Sequence, residues 1–120
     1  VQAKDCCPLF DQMNNQIKDL SEYQKREVIA EGIAIAAPVR GGQIIEIIKE
    51  TGGKIWLSSD DDTKIALKNM VKSGFYIEPT SAATIAGLVQ FLETERNPGL
   101  VVSLFSGHGL KSSDKIAKIL

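Results

Sequence analysis

The sequence is sparing with the side chains that usually announce a chemistry. It has one histidine, His108, two cysteines, and aromatic residues at 6% of its 120 positions. A lone histidine is no metal site, because zinc ordinarily takes three or four protein ligands and the cysteines lie far away in sequence. Those cysteines, Cys6 and Cys7, are adjacent. Vicinal residues rarely reach disulfide geometry, so nothing implies an oxidising compartment. No long apolar run occurs either: the longest, residues 33–39, is too short to span a bilayer, and residues 1–5 do not read as a secretory leader. Charge of one sign is also missing. Fourteen basic and 15 acidic side chains leave a formal charge of −1 with no basic cluster, which argues against nucleic acid or anionic lipid as the main partner. The cytoplasm is the expected location.

What is present is the composition of one globular domain, 43% hydrophobic and 24% charged. A chain of this length buries roughly two thirds of its unfolded surface, enough for one core and not for two domains. Glycine and proline punctuate the pattern. Residues 1–3 read as the tail of a strand, and Pro8 suits the first turn of a helix carrying Leu9, Phe10, Met13 and Ile17. Residues 28–38 are small and β-branched, predicting buried irregular or extended chain pivoting at Gly32. Isoleucines at 44, 45, 47 and 48 predict a helix closed by Gly52 and Gly53. Residues 54–58 predict a short strand, and Ser59 caps a helix whose first turn holds Asp60, Asp61 and Asp62.

Residues 75–77 predict extended chain, and Glu78-Pro79-Thr80-Ser81 opens a helix with Ile85, Leu88, Val89 and Leu92 at helical spacing. Residues 100–105, apolar except for Ser103, predict a buried strand, followed by the tight loop Ser106-Gly107-His108-Gly109 and a final helix. Strands alternating with helices predict an α/β fold, a three-layer αβα arrangement with a mostly parallel sheet. In such sheets ligands gather beyond the carboxyl ends of strands, which directs attention to the loops at 78–81 and 106–109.

Each loop has a plain and a chemical reading. Ser106 at a strand end aims a hydroxyl into a crevice, or satisfies its own backbone in a turn. Glu78 is a carboxylate aimed at the same crevice, or it marks a helix start in which Thr80 and Ser81 bond the free amides. His108 serves structure or proton transfer, and no adjacent carboxylate orients it for the latter. Neither Lys54 nor Lys111 sits in surroundings that desolvate it for Schiff-base chemistry.

Glu78-Pro79-Thr80-Ser81-Ala82-Ala83 and Ser106-Gly107-His108-Gly109-Leu110-Lys111, one helix and one strand apart, resemble the carboxyl-terminal part of the threonine synthase family. That family belongs to the fold type II pyridoxal-phosphate enzymes, which share the tryptophan-synthase-β fold. The likeness is collinear through Val1-Gln2-Ala3, Cys6, Pro8, residues 29–33 and Pro38. Family members more often carry threonine at the position of Ser106, a departure that keeps the hydroxyl.

The resemblance implies that Ser106 hydrogen-bonds the pyridine nitrogen of pyridoxal phosphate, with Glu78 close by. It implies that Ala30, Glu31 and Gly32 pass beside the ring, with Gly32 leaving room. Gly107 and His108 would shape the loop, and Thr80 would stand behind it. The implied reaction converts O-phosphohomoserine, an amino-acid phosphoester, and water to threonine and phosphate. The family's Schiff-base lysine and phosphate-holding glycine loop lie upstream of the matching region, and Lys4, Lys18 and Lys25 do not match that motif. Residues 1–120 therefore read as a partial domain, the latter part of the large catalytic domain, with no catalytic residue of its own and inactive alone. Homodimerisation or pairing with the missing upstream half is expected. The alternatives are a related eliminating enzyme, such as a threonine or serine dehydratase or another amino-acid synthase of the fold, or a noncatalytic, self-associating domain.

Overall fold

Helix starts are where local chemistry fixes the chain most directly. The computed structural model describes residues 1–120, the side chain of Glu22 excepted. Its best-capped helix is α3 (Asp60–Lys72): the Ser59 hydroxyl accepts from the Asp62 amide at 3.1 Å while the Asp62 carboxylate accepts from the Ser59 amide at 3.3 Å. Reciprocal bonding of this kind satisfies two amides that a helix start would otherwise leave bare. The helix ends at Ser73, where Gly74 takes a φ of 88° that a side chain would resist.

Next comes α4 (Pro79–Thr94), with Pro79 in the first turn, where its missing N–H costs nothing. Its buried face is Pro79, Ser81, Ala82, Ala83, Ala86 and Gly87. Small side chains allow close approach, and α4 packs along α3 over a core of Ala66, Leu67, Ile77, Ala82, Ala86 and Ile116. Ile116 belongs to the last helix, α5 (Ser113–Ile119), so the carboxyl-terminal segment closes this core. At Gly87 a methyl would lie 2.4 Å from Val1, so only glycine admits the amino-terminal residue there.

Parallel pairing is present and short. β1 (Gln2–Ala3) runs beside β2 (Leu57–Ser58), and the Gln90 amide donates to the Leu57 carbonyl at 2.8 Å, tying the pair to α4. The α/β class is thus found, but the sheet is two strands wide rather than a full middle layer. Residues 75–77, which predict extended chain, and residues 100–105, which predict a strand, join no ladder apart from one bridge between Ile77 and His108. Strand character in a sequence records suitability for a sheet, whereas a ladder also needs a neighbour at hydrogen-bonding distance. None of the described residues stands beside residues 100–105 in that way. Leu100, Val102 and Leu104 are 93%, 85% and 75% exposed, the opposite of the buried strand their pattern predicts.

Elsewhere α1 (Pro8–Met13) stops short of Ile17: Asn14 turns its side-chain amide back to the Phe10 carbonyl at 2.8 Å, and Asn15 adopts a left-handed φ of 57°. Beside it lies α2 (Gly41–Glu50), which presents Ile45 inward and leaves Ile44 and Ile47 exposed. A second, smaller core joins Ala3, Cys6 and Val28, with Tyr23, Ile33 and Ala34 against it. Both cysteines are free and buried, and the Tyr23 hydroxyl accepts from the Cys7 amide at 2.8 Å. Burial pushes both thiols upward and the Tyr23 phenol up to about 12. Among the described residues no helix is long and apolar enough to cross a membrane.

Candidate functional site

Three separated stretches of sequence converge on the first turn of α4. From the carboxyl-terminal side comes Gly107, which is buried while Ser106 beside it is exposed. The Gly107 amide donates to the Ser81 hydroxyl at 3.1 Å, and its carbonyl accepts from the Glu78 amide at 3.0 Å and the Ser81 hydroxyl at 3.3 Å. The Glu78 carboxylate lies flat on the same glycine: a methyl there would stand 1.8 Å from Glu78 Oε1. A side chain at position 107 would have to push the Glu78 carboxylate aside. The loop backbone is therefore held on both its donor and its acceptor, while the neighbouring Ser106 hydroxyl has no hydrogen-bond partner among the described residues.

From the other side comes Gly32. A methyl there would meet Thr80 Oγ1 at 2.7 Å, so the turn at Glu31–Ile33 rests directly on α4. Ala30 is buried beneath that turn, and Glu31 is exposed and ion-paired to Lys115 of α5. The lysine hydrogen bond and charge hold the Glu31 carboxyl below its ordinary range. Glu31 thus ties the turn to the last helix.

His108 is engaged at one ring nitrogen. Its Nδ1 accepts from the Leu110 amide at 3.2 Å, capping the short 3-10 turn Gly109–Ser112, and its ring meets Tyr76 edge-on at 5.8 Å. An accepting Nδ1 puts the proton of the neutral ring on Nε2. The helix start is also different from the simple cap that its sequence suggests. Neither Thr80 nor Ser81 caps α4, and Glu78 offers no side-chain cap. Ser81 is instead fully buried and turned toward Gly107, 26 residues away. Ser81 is not among the residues expected at the site from the sequence. Its signal is position, a hydroxyl heading the buried small-residue face that continues through Ala82 and Ala83.

Two clefts flank this junction. One of about 280 Å³ is lined by Phe75, Tyr76, Ile77, Phe105, Gly107 and His108, against the loop that carries Ser106. A wider one of about 820 Å³ includes Lys25, Arg26, Glu31, Asp60, Lys115 and Lys118. Its charges are mixed and largely engaged: Lys115 with Glu31, Arg26 with Asp5, and Asp60 with the Ile29 amide. The smaller cleft is the one the Ser106 loop borders.

No family model matches the chain. Individual curated proteins do. The threonine synthase of Methanocaldococcus jannaschii is 33% identical over 118 residues, covering 95% of this chain and 29% of that protein. The threonine synthase of Halalkalibacterium halodurans is 35% identical over 91 residues, covering 73% of this chain and 26% of its own length. By sequence, the chain matches a part of the threonine synthases. The threonine synthase of Methanosarcina acetivorans, 26% identical, covers 99% of the chain and again only 30% of its own length. The chain therefore spans less than a third of the threonine synthases it matches. The matches take in nearly all of the chain, so the residues that converge on α4 lie within the matched stretch.

Proposed function

We propose that this chain is the carboxyl-terminal part of a threonine synthase and forms the wall of the cofactor site that faces the pyridine nitrogen of pyridoxal phosphate. The observation that carries the reading is the contrast between adjacent residues: Gly107 is buried and clamped, and Ser106 is exposed with its hydroxyl unengaged. The residues fit the group. A ring nitrogen needs a donor that is not otherwise engaged and does not wander, and a hydroxyl next to an immobilised glycine meets both demands.

Bound pyridoxal phosphate supplies the electron sink through which O-phosphohomoserine and water become threonine and phosphate. Ser106 acts as a neutral hydroxyl donor, which leaves the nitrogen unprotonated where a carboxylate partner would favour the pyridinium. Gly32 and Gly107 leave space that any side chain would fill, and Glu78 backs the loop through both its amide and its carboxylate. Ala30, Glu31 and Thr80 hold the Gly32 turn, and His108 holds the chain leaving Ser106.

Every lysine of the chain is exposed or half-buried. A Schiff-base lysine works in a desolvated setting, so covalent attachment is assigned to the upstream part of the enzyme and the chain alone to inactivity. The exposed row at Leu100, Val102 and Leu104 is assigned to packing against that part. The test is Ser106→Ala in the full-length enzyme carrying this segment. Cofactor affinity should fall roughly tenfold, the scale of one well-placed hydrogen bond, with phosphate rather than ammonia and keto acid released by the parent. Unchanged affinity and turnover would remove Ser106 from the site.

A further inference from the structure

We infer that Ser81 is the positioning residue for Ser106: its single hydroxyl grips both the amide and the carbonyl of Gly107 and thereby fixes the direction of the hydroxyl one residue earlier. The link from Ser106 to the cofactor rests on the reading proposed above, whereas the grip itself stands on this chain alone. Ser81 is fully buried, and its hydroxyl accepts from the Gly107 amide at 3.1 Å and donates to the Gly107 carbonyl at 3.3 Å. Its carbonyl bond doubles one that the Glu78 amide already makes at 3.0 Å. The amide bond has no substitute, so loss of the hydroxyl leaves a buried N–H without a partner.

Burial alone does not require this hydroxyl. Ala82 and Ala83, the next two residues of the same face, are equally buried and have none. A second buried hydroxyl pair, Ser58 with Thr63 at 2.7 Å, serves as the comparison, because it braces the start of α3 and makes no hydrogen bond to the loop.

The first measurement is amide hydrogen exchange on the 120-residue chain, comparing the Gly107 amide with that of Leu67 in the α3 core. Ser81→Ala should speed exchange at Gly107 at least tenfold relative to Leu67. Ser81→Thr, which keeps the hydroxyl, should restore protection, and Ser58→Ala should leave the ratio unchanged. An unchanged ratio in Ser81→Ala, or an equal rise in Ser58→Ala, overturns the grip.

The second measurement is cofactor affinity in the full-length enzyme carrying this segment. Ser81→Ala should weaken binding about as much as Ser106→Ala, and the double variant should be no weaker than either single one, the pattern of two residues acting through one contact. Additive losses overturn the positioning role. Loss of affinity in neither single variant overturns the cofactor link and the proposed function together, and the exchange result then still decides the grip.

Discussion

Two apolar regions of similar composition have opposite fates. In one, Leu67, Ile77 and Ile116 from three separate segments are at most 4% exposed around α3 and α4. In the other, Leu100, Val102 and Leu104 stand largely in solvent on chain that joins no ladder. Hydropathy does not separate them. What separates them is whether the chain returns a partner: α3, α4 and α5 cover one another, whereas residues 100–105 have no strand beside them.

The sharpest way to break the contrast is truncation on each side of it. Leu67→Ala should destabilise the chain by about 2–5 kcal/mol in urea unfolding, the range for emptying a packed leucine site. Leu104→Ala should change it by no more than about 0.5 kcal/mol, as at other exposed positions. Equal losses would mean that residues 100–105 are part of the core after all. Gly107→Ala comes next. It places a methyl against the Glu78 carboxylate and should cost about 1–3 kcal/mol by overpacking, with the loss read in the same unfolding curves.

Smaller still is Ser59→Ala, which removes the capping box of α3 and should cost about 1 kcal/mol. The last effect belongs to the second core and shows only at alkaline pH. Tyr23 holds its proton to a pH of about 12 in the fold against 10.0 in a free phenol. The folded state therefore binds more protons than the unfolded chain between those values, and stability falls as pH rises through that window. Tyr23→Phe should flatten the decline in an alkaline unfolding series. A slope identical to the parent's would place the loss elsewhere.

Legibility in the sequence followed the same division. The start of α3 was readable to the residue, because Ser59 and Asp62 bond each other across three positions. Pro79 likewise marked α4. The sheet was not readable in its extent, since the pattern at residues 100–105 describes what a strand offers and says nothing of what lies alongside. Within the candidate site, Gly32, Glu78 and Gly107 stood out as residue types, and the structure brings each to the first turn of α4. Ser81 was hidden for the opposite reason. Its chemistry is ordinary for a helix start, and only its partner, 26 residues away, gives it another use. His108 was open between two uses, and the Leu110 amide accounts for its Nδ1.

The convergence on α4 has a mechanical side. Thr80 carries the Gly32 turn, and Glu78 and Ser81 carry the Gly107 loop, all within one turn of a single 16-residue helix. A displacement of that one helix start therefore reaches both glycines, and a single element sets where each of the two loops lies.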